Sequence, residues 1–136
     1  MGDGIRVGFV SSVSPQAGTV QVTYPDRDRM VTGDFPVLIF GGEYSLPEVN
    51  DLVLVLHLSN DVSSGVVLGK FWNDQDIPEH TEWYKKLSDS VQFRKEKDKL
   101  YFISPEIIFS GNVGEISLKD LVELKRKVED LEAGNT

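Results

Sequence analysis

Two histidines are the first residues to consider for chemistry. His57 lies inside an apolar run, "DLVLVLHLS", and His80 follows Glu79 in a polar stretch. A histidine acting as general base needs a positioned partner within hydrogen-bond reach, and the sequence places none beside His57. His57 reads as a hydrogen-bonded edge or interface residue, and His80 as a solvated one. Asp26 and Asp28 flank Arg27 in "YPDRDRM", a mixed-charge loop too sparse in oxygen ligands for calcium. Trp72, Trp83 and Tyr84 could stack on a sugar or a base. Large aromatics serve burial first, so they are expected to pin a linker onto the preceding domain.

No other constellation is present. The sequence has no G-x-S-x-G, no phosphate-binding glycine loop and no H-E-x-x-H. It has no cysteine, which removes disulfides and thiolate zinc sites. The expectation is a protein that is not an enzyme and has no catalytic residue, cofactor or metal ligand. A net charge of -8 disfavours nucleic acid as partner and anionic membrane as surface. The longest apolar run, Leu52–Leu56, is far short of a membrane span. "MGDGIRVGF" has no basic-then-apolar signal pattern, so synthesis in the cytosol is expected.

The elements that carry these residues fall into three regions. Residues 5–72 hold five strand-like runs: "IRVGFVSSV", "GTVQVTYPD", "DFPVLIF", "DLVLVLHLS" and "GVVLGKFW". Gly, Pro and Asp turns separate them. Five short strands in this length suggest a small closed barrel of the five-stranded Greek-key (OB) type, although an SH3-like barrel would read similarly. The second run alternates: Val20, Val22 and Tyr24 on one face, Thr19, Gln21 and Thr23 on the other. The fourth and fifth are apolar on both faces. Leu52, Leu54, Leu56 and Leu58 are expected in the barrel core, and Val53, Val55 and Val67 on an outward face. Strands apolar on both faces are usually covered on both, here by the linker, by a second subunit or by a partner.

Residues 74–89 read as a linker. Residues 90–117 alternate in pieces, Val91/Phe93, Leu100/Phe102, Ile107/Phe109 and Ile116, with "RKEKDK" as a solvated hairpin tip. Such a thin sheet needs a cover, from the barrel or from copies of itself. Residues 118–133 read as a helix, with Ser117 as N-cap and Asp120 as its capping-box partner. Gly134 is its stop. Leu121, Leu124, Val128 and Leu131 form an a/d seam, with Lys127 at a g position and Glu132 at the following e position, so parallel neighbours can pair them. The seam is two heptads long and a helix of this length is marginal alone. Side-by-side packing of identical chains would satisfy thin sheet, seam and doubly apolar strands together.

Residues 44–73, "YSLPEVNDLVLVLHLSNDVSSGVVLGKFWN", resemble the OB-fold domain of phage baseplate assembly protein V. They also resemble the related spikes of contractile tails, tailocins and type VI secretion systems. The matching positions are Tyr44, Leu46, Pro47, Val49, Asp51, Val53, Val55 and Gly65 to Gly69. Asn50 stands where the family pattern has Gly. Upstream, "IRVGFVSSVSPQAGTVQVTYPD" and "DFPVLIF" resemble the family's opening strands. The resemblance implies a mainly β architecture: an OB-type barrel over 1–73, a linker over 74–89, an intertwined trimeric β-stem over 90–117 and a C-terminal helix over 118–133. It implies a virion or particle component, assembled in the bacterial cytoplasm as a homotrimer that caps the tail tube and docks on a hub protein. Phe93, Phe102, Ile107, Phe109, Leu121, Leu124, Val128 and Leu131 would form the threefold core. Val53, Val55 and Val67 would face the hub or a neighbouring barrel. Longer spikes end in a needle whose tip often carries a His-x-His iron site, and this chain has no such motif. Either its spike is blunt or a separate tip protein completes it. The alternative function is an OB-fold binding module for oligosaccharide or single-stranded nucleic acid.

Overall fold

The computed structural model describes residues 4–59 and 63–134. It is mainly β, with one C-terminal helix, and divides into two compact units, Met1–Ile77 and Pro78–Thr136.

The first unit holds β1 (Ile5–Ser14), β2 (Thr19–Tyr24), β3 (Met30–Val31), β4 (Phe35–Pro36), β5 (Leu52–His57) and β6 (Gly65–Lys70). They form one sheet in the order β3-β2-β1-β5-β6, with β4 paired to β2 and every ladder antiparallel. Each expected run contains a strand, but "DFPVLIF" shortens to the two residues of β4, and β3 is an addition. The sheet is open, where a closed barrel was expected. Beyond the ladders, a single parallel bridge joins Val37 to Val67, and Leu38 N–H donates to Val67 O at 2.9 Å.

The core is built from Val10, Val20, Val22, Tyr24, Phe35, Val53, Val55 and Val67. This reverses the expected facing of β5 and β6. The valines fill the interior, and Leu54 and Leu56 point away from it. The cause is space. A Cβ on Gly8 would lie 2.5 Å from Val22 Cγ1, and one on Gly65 would lie 2.6 Å from the Phe35 ring. An interior that needs glycine at two strand positions has room for valine beside them but not for a row of leucines. Register then fixes the rest. Gly8 pairs with Val53 and faces inward, so Ile5, Val7 and Phe9 face outward opposite Leu56, Leu54 and Leu52.

The second unit contains a three-stranded antiparallel sheet, β7 (Tyr84–Lys86), β8 (Gln92–Glu96) and β9 (Lys99–Ile103), and a hairpin, β10 (Ile108–Gly111) and β11 (Gly114–Ser117). Residues 84–86 are therefore sheet rather than linker. Most of "RKEKDK" is ladder; only Lys97 and Asp98 form the turn, with Lys97 left-handed at φ 53°. The Glu82 carboxylate clamps that turn, accepting from Lys95 Nζ and from Lys97 N–H, both at 3.0 Å. The Lys95 hydrogen bond, then the Lys97 amide, hold the Glu82 carboxyl below its ordinary range.

The helix α1 (Leu118–Gly134) begins as the sequence predicts. Asp120 N–H donates to Ser117 Oγ at 3.1 Å, and Ser117 N–H donates back to Asp120 Oδ2 at 3.3 Å. This reciprocal pair is a capping box with Asp in place of Glu. Leu118 N–H also donates to Ile107 O at 2.8 Å, tying the first turn to the hairpin.

Candidate functional site

The residues first considered for chemistry have structural partners. His57 is buried, and its Nε2 lies 2.7 Å from the Tyr24 hydroxyl. Phe35 meets the imidazole edge-on, and the Arg6 guanidinium lies 5.3 Å from the Tyr24 ring centre. Burial pushes the Tyr24 phenol up to about 12, partly opposed by Arg6. A phenol that stays protonated can donate to a neutral imidazole. The contact thus pairs two buried polar groups with each other.

His80 is half-buried, not solvated as expected, with its ring 4.9 Å from that of Tyr84. The Tyr84 hydroxyl accepts from Glu79 N–H, and Glu79 accepts from Lys86 Nζ at 2.7 Å. Trp72 and Trp83 are 59% and 56% exposed, so neither indole is pinned by burial. The Asp26–Arg29 loop is exposed. Among the described residues, no group of His, Asp and Glu side chains could hold a metal ion, and no helix is long and apolar enough to cross a membrane.

Among the described residues, each unit carries a hollow. One of about 750 Å³ lies in the second unit and mixes Arg94, Lys95 and Lys99 with Glu79, Glu82 and Glu96. Opposite charges alternate around it, so it focuses neither anion nor cation. One of about 350 Å³ lies in the first unit, between the segment after β4 and β6, and is lined mainly by Val37, Leu38, Phe40, Leu46 and Leu68.

The dominant feature is uncovered apolar surface. No residue of 78–134 is buried. Phe93 and Phe102 form an edge-to-face pair, yet Phe102 remains 54% exposed. Leu100 and Leu87 are likewise open. On the hairpin, Phe109 pairs with Ile116, and both are exposed; Ile107 is half-buried. On α1, Leu121, Leu124, Val128 and Leu131 are exposed over a range from 38% to 68%. The eight residues expected in a threefold core are thus all at least partly open in the single chain. Val53, Val55 and Val67, expected on an outward face, are instead fully buried in the core. The apolar exterior of the first unit is the set that sequence reading missed: Ile5, Val7 and Phe9 on β1, with Leu54 and Leu56 on β5. Its signal was the alternation of β1 itself, which places three large apolar residues on one face.

Compared with protein-family models and with curated proteins, the chain matches none.

Proposed function

We propose that this chain is a structural component of a contractile phage-tail-like baseplate, a homotrimeric spike that caps the tail tube and is driven toward the target envelope. One observation carries the reading. Residues 78–134 form two small sheets and a helix in which no residue is fully buried. Exposed apolar surface on this scale marks an interaction site, and a thin sheet or a short lone helix is marginal in water. Identical chains around a threefold axis would bury the Phe93/Phe102 face, the Phe109/Ile116 hairpin and the α1 seam at once.

In this reading the first unit belongs to the OB type, its curled sheet joined across the Val37–Val67 bridge. Its β1/β5 exterior, not the valines, is the face for a baseplate hub or a neighbouring first unit. The role is mechanical and the protein is not an enzyme. Single-particle electron microscopy of the purified chain tests this. End-on views should show threefold symmetry around a narrow stem, and single-chain particles would overturn it.

A further inference from the structure

The helix seam leaves one question that apolar residues cannot answer. With leucine or valine at Leu121, Leu124, Val128 and Leu131, a neighbouring helix can slide by seven residues and still meet an a/d seam. The flanking charges distinguish these alignments. Lys127 and Glu132 make no ion pair within the described chain, and Lys125 reaches only Glu129, at 4.0 Å and in solvent. Counting from Leu121 as a, Asp120 and Lys127 occupy g, and Lys125 and Glu132 occupy e.

We propose that α1 meets second copies of itself in parallel, in one register set by two interchain ion pairs, Asp120 with the neighbour's Lys125 and Lys127 with the neighbour's Glu132. This rests on the trimeric reading above. In parallel helices each g position faces the e position five residues on in the neighbour. In register, both contacts join opposite charges. A slip of seven residues one way brings Asp120 against Glu132. A slip the other way brings Lys127 against Lys125. Both alternatives place like charges together, so the alternating signs act against misalignment as well as for the native one. Neither pair can form inside one helix, because residues five apart lie about 140° apart around its axis. Asp120 caps the helix through Oδ2, which leaves its second oxygen for a neighbour.

The test is a charge-swap cycle on the full chain: Lys127→Glu, Glu132→Lys and both together. Mass is followed by light scattering through a dilution series at low salt. Each single change should raise the concentration needed for trimer roughly threefold to tenfold, since three contacts turn repulsive at once. The double change should restore it to within about twofold, as coupled residues do in such a cycle. In about 1 M salt the differences should collapse. Single variants that associate like the parent, or a double variant that adds the two losses, would overturn the pairing while leaving the trimer standing. A parent protein that is monomeric throughout would overturn both.

Discussion

Phe93 and Phe102 face each other across β8 and β9, with ring centroids 5.3 Å apart and planes at 84°, on a sheet face that buries neither ring. An edge-to-face pair gains about 0.5–1.5 kcal/mol beyond its area. That gain is small beside the cost of leaving Leu100 and Phe102 open to water on the same face, and the proposed trimer would cover them.

Replacing both Leu124 and Leu131 by Asp should release monomers. Each change sets three carboxylates around one axis, and each lost leucine forfeits about 1.5–3 kcal/mol of burial per chain. Light scattering checks the mass. An unaltered trimer would remove the helix seam from the account.

The two faces of β5 should answer mutation differently. Val55→Thr places a hydroxyl in the core and should cost on the order of 1–3 kcal/mol in urea unfolding. Leu56→Thr, on the exposed face, should change unfolding of the first unit by less than about 0.5 kcal/mol. Equal losses would contradict the reversed facing.

Gly65→Ala should destabilise the first unit by about 1–3 kcal/mol, because its Cβ meets the Phe35 ring at 2.6 Å. A thermal melt measures it. A further Phe35→Leu change should recover part of the loss.

Burial of the Tyr24 phenol predicts a pH window. The folded phenol titrates at about 12, above its ordinary 10.0. A raised folded value means that the folded state's advantage is complete below pH 10 and is lost as pH rises from 10 through 12. Tyr24→Phe, which removes the hydroxyl 2.7 Å from His57 Nε2, should be less stable than the parent at pH 8. The gap between the two should narrow between pH 10 and 12. A constant gap across that range would contradict the assignment.

Much of this was legible in the residues. Glycine and proline turns marked the strands of the first unit, and β2 alternates cleanly because its outer face carries only Thr19, Gln21 and Thr23. The capping box at Ser117 and Asp120 is a local signal and needed no tertiary context. The facing of β5 was not legible. A strand with Leu at one parity and Val at the other shows no hydrophobic alternation, and only the tight approach at Gly8 and Gly65 selects the smaller residue for the interior. β7 was hidden too, since "YKK" has two charged residues and no apolar alternation, yet it pairs along β8. Closure of the barrel was inferred from strand number, which does not fix how the last strand returns.

The solution mass of the purified full chain tests the central claim most directly, by light scattering coupled to size exclusion. The account predicts a stable particle of three 15.2 kDa chains, persisting on dilution. A clean monomer would contradict it, because residues 78–134 would then have to stay ordered with no buried residue of their own.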